Sequence, residues 1–228
     1  MHSTMHLSDF EGFVSGLAVI TTILQFLSGV LVCKQYVVNG TTAEASSLPF
    51  VCGMLSCCLW FLYGLLKHDN IIVLVNIIGI TLMSSYTAVF YIYTFKKSTV
   101  LKQVFCTIAL VSLVLLYIFT EEDNESLFAT LGLASCSLTL LTIAAPMSKL
   151  LYVFRVKSTE CLPFPMILMS SFVSTLWFLY GVIKDDPFLM VPNLIGDVLA
   201  VAQLSLFVIY PNKSQSPSSL KHNKHILA

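Results

Sequence analysis

Three kinds of side chain able to recognise a small molecule recur at matched places in an otherwise apolar chain: Asn76 and Asn193, Trp60 and Trp177, Tyr63 and Tyr180. They belong to one sequence written twice, WFLYGLLKHDNIIVLVNIIG from Trp60 to Gly79 and WFLYGVIKDDPFLMVPNLIG from Trp177 to Gly196, in register without a gap and identical at ten of twenty positions. An amide carries donors and an acceptor, and an indole offers a flat apolar face on which the C–H side of a sugar ring can lie. Together they suit a neutral, hydroxyl-rich solute better than an ion. Bond-breaking chemistry has little to stand on, because the chain lacks a nucleophile elbow, a Gly-rich phosphate loop, a zinc signature and a pair of intramembrane carboxylates. It is therefore not expected to be an enzyme, and no metal or cofactor is expected. Each asparagine also has a structural reading as a polar bond between helices, and each tryptophan as an interfacial anchor. Their pairing, with Asn76 and Asn193 each followed three residues later by Gly79 or Gly196, favours a central substrate site.

The elements that must hold these residues are helices in a bilayer. With 57% hydrophobic and 11% charged residues, the 228-residue chain has too little polar surface to cover a soluble domain. A membrane helix needs roughly 20 apolar residues, and seven stretches qualify: 12–32, 47–66, 71–93, 100–119, 127–153, 163–183 and 188–210. The first follows an acidic start with Asp9 and Glu11 and lacks the basic flank and cleavage site of a signal peptide, so it reads as a retained helix. The expected fold is an all-α integral membrane protein of seven transmembrane helices. Two parallel three-helix repeats, residues 1–98 and 123–210, are joined by a linker helix in 99–122, and a disordered cytosolic tail occupies 211–228.

Net charge is zero but unevenly placed. With loops assigned alternately to two sides, ten Lys and Arg fall on one side and only Lys67 and Lys184 on the other. The positive-inside rule then puts the N-terminus outside or lumenal and the C-terminus in the cytosol. Of the sequons at Asn39, Asn124 and Asn212, only Asn124 falls on the outer side. Seven cysteines, an odd count spread through the spans, suggest neither a disulfide framework nor a metal site, and His68 has no partner at ligand spacing. Pro49, Pro146 and Pro163 lie near helix ends, where proline either permits a bend or sits harmlessly in a first turn.

Leu-Pro-Phe before Trp-Phe-Leu-Tyr-Gly, then Lys-x-Asp and Asn-x-x-Gly, with Ala-Pro-Met-Ser and Val-Lys-Ser-Thr-Glu-Cys-Leu-Pro-Phe-Pro in the second half, resembles the SWEET family of sugar transporters over residues 12–211. That family exemplifies parallel transporter repeats. The resemblance implies facilitative, bidirectional sugar transport by alternating access, with the plasma membrane, the Golgi or both as its location. It carries the sugar-binding positions to Asn76, Asn193, Trp60 and Trp177, and an extracellular gate to Tyr63, Tyr180 and Asp186. It carries an inner hinge and gate to Pro49, Pro146 and Pro163, with Ser28-Gly29 standing where many plant members have Ala-Pro. Expected partners are a small-molecule sugar and membrane lipid, not nucleic acid; a homo-oligomer is left open.

A second departure from the family pattern follows Asn193. Asp197 stands one helical turn beyond Asn193, where an intramembrane acid suggests either proton coupling or a hydrogen bond to a neighbouring helix. Other readings of the whole chain are a seven-helix receptor, disfavoured by the short loops and the repeat, and a non-transporting scaffold or chaperone. Two tryptophans at the pocket positions predict a narrow site that admits a monosaccharide such as glucose better than sucrose.

Overall fold

The computed structural model describes residues 2–160 and 162–210, with side chains described for all of these except 2–9 and 144–149. They form seven helices: α1 (His2–Asn39), α2 (Leu48–Leu66), α3 (Asn70–Tyr93), α4 (Lys97–Thr120), α5 (Asn124–Val156), α6 (Phe164–Ile183) and α7 (Pro187–Ile209). Each contains a span long and apolar enough to cross a membrane, the shortest having 19 residues. At about 1.5 Å rise per residue that length matches the hydrocarbon core. The seven expected spans all appear, and α1 and α5 run beyond the stretches read from hydropathy at both ends.

The ends of the bundle differ in how helices begin. Asp69, Asp123 and Asp186 are the N-caps of α3, α5 and α7, each accepting backbone N–H bonds from the first turn. Ser126 and two backbone N–H donors hold the Asp123 carboxyl below its ordinary range. The N-caps of α2, α4 and α6, at the opposite end, make no side-chain capping bond. We call the two ends the aspartate end and the lysine end.

Packing follows the repeat. In the first half α3 packs between α1 and α2; in the second, α7 packs between α5 and α6. The halves meet reciprocally, α1 against α6 and α2 against α5, while α4 lies outside against α2 and α3. This is the three-plus-one-plus-three arrangement. Close approach inside a half depends on a small residue at the crossing: a Cβ on Gly79 of α3 would stand 2.6 Å from Cys57 Sγ of α2 and 2.9 Å from the Phe26 ring of α1.

Equivalent loop contacts close the lysine end of each half. The Thr42 N–H donates to the Tyr93 carbonyl at the end of α3, and the Thr159 hydroxyl donates to the Tyr210 carbonyl at the end of α7. Apolar packing is densest toward the aspartate end, where Val14, Ala18, Tyr63, Ile72, Leu131, Leu176, Tyr180 and Leu189 join both halves in one core. A separate cluster of Val153, Leu162, Ile167, Ala200 and Leu206 packs the lysine end of the second half alone. The interior between the halves is therefore filled at one end and left hollow toward the other.

Candidate functional site

At the aspartate end, two tyrosines and two helix caps seal the interface by exchange between halves. Tyr63 of α2 donates its hydroxyl to Asp186, at 2.9 and 2.7 Å from the two carboxylate oxygens. Tyr180 of α6 donates to Asp69 Oδ2 at 2.7 Å. The lysines of the two Lys-x-Asp loops are used differently: Lys67 Nζ lies 3.3 Å from Asp186, whereas Lys184 pairs with Glu11 of α1. Asp186 is 2% exposed and Asp69 half-buried. A carboxylate so deeply buried is costly unless paired and hydrogen-bonded. Asp186 meets that condition through Tyr63, Lys67 and the N–H groups of Phe188 and Leu189. Above the seal lies a polar vestibule of about 520 Å³ lined by Glu11, Lys67, His68, Asp69, Lys184 and Asp186.

One turn toward the lysine end stand the tryptophans. Each ring meets the tyrosine of its own helix edge to face, Trp60 with Tyr63 at 5.5 Å and Trp177 with Tyr180 at 5.7 Å between centroids. Each indole N–H crosses to the other half: Trp60 Nε1 donates to Thr139 Oγ1 of α5 at 3.1 Å, and Trp177 Nε1 to Thr22 Oγ1 of α1 at 2.8 Å.

Beneath the tryptophans the two asparagines face a common cavity. Asn76 donates one amide N–H to the Ile72 carbonyl and Asn193 one to the Leu189 carbonyl, both at 2.8 Å and both one turn back in their own helix. That bond fixes the rotamer. Among the described residues, the second N–H and the amide oxygen of each asparagine make no other hydrogen bond. The cavity has a volume of about 690 Å³ and runs from Asn76, Asn193, Trp60 and Trp177 to Leu48 and Pro49 at the lysine end of α2. Its remaining lining is apolar or neutral, including Phe26, Cys52, Ser56 and Thr142, with no charged side chain among the described residues.

The structure thus brings Asn76, Asn193, Trp60 and Trp177 to one cavity and stacks Tyr63, Tyr180 and Asp186 directly above it. The hinge candidates are less uniform. Pro49 lies in the first turn of α2, next to Phe50, whose ring packs on Tyr86 and Phe90. Pro163 is the N-cap of α6. Neither interrupts a helix, so both occupy positions where a missing N–H costs nothing. Pro146 lies outside the described side chains. At Gly29 a Cβ would overlap the Tyr86 ring, so the glycine lets α1 pack closely on α3. Asp197 accepts the Ser171 hydroxyl of α6 at 2.6 Å and does not line the cavity.

Three residues of the site, and one buried beside it, escaped the sequence reading. Asp69 was legible as the repeat-equivalent of Asp186, through the shared Lys-x-Asp. Thr22 and Thr139 lie upstream of the strongly matching segments, and only extending the register of the repeat backward would have paired them. Pro192 stands inside α7, fully buried, immediately before Asn193, as Pro146 stands within the length of α5. Its signal was the mismatch with Val75 at the equivalent place in α3.

Comparison with known proteins bears on the family and the fold. The family model described as "Sugar efflux transporter for intercellular exchange" matches residues 12–98 and 129–215. The chain is 40% identical over 210 residues to Sugar transporter SWEET1 of Drosophila pseudoobscura pseudoobscura, covering 91% of this chain and 93% of the relative. It is 33% identical over 201 residues to Bidirectional sugar transporter SWEET1 of Arabidopsis thaliana, covering 83% of this chain and 79% of the relative. Among solved structures, "The 3.7 A resolution structure of a eukaryotic SWEET transporter" has the same fold, with a TM-score of 0.80 at 24% identity over 89% of this chain and 97% of that one.

Proposed function

The chain belongs to the SWEET family of sugar transporters, and we propose that it is a facilitative, bidirectional uniporter that moves a monosaccharide such as glucose down its gradient by alternating access. The observation that carries this reading is the cavity itself: uncharged, lined by paired amides and indoles, and closed at one end by bonds exchanged between the two halves. Asn76 and Asn193 present donors and acceptors to sugar hydroxyls, while the faces of Trp60 and Trp177 take the apolar side of the ring.

Transport follows from which contacts join the halves. In this conformation Tyr63, Lys67 and Asp186 on one side, and Tyr180, Asp69, Lys184 and Glu11 on the other, hold the aspartate end shut. Opening that end requires these bonds to break and water to replace them, while the hollow lysine end closes over the sugar. The positive-inside rule places the aspartate end and N-terminus outside and the C-terminus in the cytosol, so the conformation described is closed to the outside. The cell surface and the Golgi are the membranes where such a carrier would serve, and imaging of a tagged chain decides between them.

Coupling to protons finds no support in the position of Asp197, which is bonded to Ser171 away from the cavity. Expression in cells that lack sugar uptake tests the whole reading. Labelled glucose should equilibrate across the membrane and never exceed its outside level. Accumulation that collapses with a protonophore would replace uniport by coupled transport, and absence of any flux would leave a scaffold role.

A further inference from the structure

We infer that Thr22 and Thr139 are positioning residues that hold the two tryptophans at a fixed width across the cavity, and that this cross-repeat bond sets which sugars enter. The inference rests on the reading of the tryptophan faces as a sugar platform.

The argument begins with donors and acceptors. An indole can only donate, so a buried one needs an acceptor. A threonine hydroxyl can act either way, and here its direction is settled by its own helix. Thr22 spends its proton on the Ala18 carbonyl at 2.7 Å, and Thr139 spends its proton on the Ser135 carbonyl at 3.0 Å. What remains on each oxygen is a lone pair, and the indole of the opposite half points at it, Trp177 toward Thr22 and Trp60 toward Thr139. The four residues are equivalent pairs of the repeat, so the same device is built twice and each half holds the tryptophan of the other.

Three restraints then fix each ring. The backbone of α2 or α6 sets where it starts, the edge of Tyr63 or Tyr180 packs against it, and the threonine pins its far edge. All four residues line the cavity. A ring pinned at its N–H cannot turn aside to widen the space between the asparagines without breaking that bond. Hydrogen bonding to threonine also withholds the N–H from a sugar, leaving the ring face as the part that recognises it. The platform's orientation, and with it the exclusion of larger sugars, therefore depends on two hydroxyls that need not touch the substrate.

Valine has the shape of threonine without the acceptor. The chain's two tryptophans are Trp60 and Trp177, so Trp177→Phe isolates one and Trp60→Phe the other. In purified protein, the ultraviolet resonance Raman marker of indole N–H bonding should shift to the unbonded position on Thr139→Val in the Trp177→Phe background. Thr22→Val in the Trp60→Phe background should do the same for Trp177. With both tryptophans present, either valine should raise the KM for glucose about tenfold, the worth of one buried hydrogen bond. The maximal rate should stay near that of the parent and sucrose should become a substrate; Thr139→Ser and Thr22→Ser should restore both KM and exclusion. An unchanged Raman marker overturns the inference, as does a shifted marker with unaltered KM and sugar preference, or valine variants that all fail to yield folded protein. Should the parent chain move no sugar while the marker still shifts, it is the transport reading that fails.

Discussion

Replacing Tyr63 by phenylalanine should unlatch the aspartate end far more than the same change at Tyr180, although the repeat makes the two residues equivalent. The reason is the environment of the acceptor. Tyr63 is fully buried and its hydroxyl serves both oxygens of Asp186, a carboxylate only 2% exposed. Tyr180 is buried too, but it bonds one oxygen of Asp69, which is only half-buried. A buried hydrogen bond to a charged group contributes about 1.5–3 kcal/mol, so Tyr63→Phe should shift the closed-to-open ratio roughly ten- to hundredfold. Water can replace the lost donor at Asp69, leaving about 1 kcal/mol or less and a shift of about fivefold for Tyr180→Phe. Spin labels on cysteines placed at Asn70 and Pro187, exposed first-turn positions of α3 and α7, span the two halves at this end. With other reactive cysteines replaced, the distance distribution of Tyr63→Phe should gain a long component that dominates the short one, and that of Tyr180→Phe a minor one. Equal responses, or a larger one at Tyr180, would refute the claim that burial of the acceptor decides the strength of the seal.

Four further outcomes follow. Asn193→Ala should abolish glucose transport while the protein still folds and reaches the membrane, because the amide's one protein bond is to its own helix at Leu189; loss of folded protein in detergent gel filtration would make the amide structural. Trp60→Ala should weaken glucose transport and admit sucrose by removing both stacking surface and the brace to Thr139, and competition uptake with the two sugars reads the ratio. Asp197→Asn should transport glucose at nearly the parental rate at every pH tested, because an amide oxygen still accepts from Ser171; a flattened pH profile would restore Asp197 as a coupling group. A glycan, detected by a glycosidase-sensitive mobility shift, belongs on Asn124 at the aspartate end and never on Asn39 at the lysine end; a glycan on Asn39 inverts the topology.

How much of this was legible in the sequence depends on whether a residue's role is set by its own helix or by the opposite half. Helix number and repeat architecture come from hydropathy and self-similarity, both local, and the structure agrees with them. The placement of Asn76 and Asn193 was readable for the same reason, since their depth in α3 and α7 is set by register. The threonine partners were not, because a threonine in an apolar helix usually satisfies itself on the carbonyl one turn back, as Thr81 and Thr87 do in α3. Nothing in composition separates those from Thr22 and Thr139, which do the same and also receive an indole. Hinge positions were least legible, because proline in a first turn and glycine at a crossing look alike in sequence whether they bend or only pack.

The exchange of donors and acceptors also bears on why the chain carries its unit twice. A single three-helix half would hold Tyr63 and Trp60 without Asp186 and Thr139, leaving a hydroxyl and an indole N–H at an apolar face with no acceptor. The second copy supplies both acceptors and receives the same service at Asp69 and Thr22. Bonds of this kind are directional and weaken over a short displacement, so they hold the two halves in one register at this end. The repeats then need not be equal. Lys67 joins Asp186 while Lys184 turns to Glu11, and Pro192 stands in α7 where Val75 stands in α3. The half that contributes Asp186 thus supplies the more deeply buried acceptor and carries, in the helix that Asp186 caps, a proline whose missing N–H leaves one helical bond unmade.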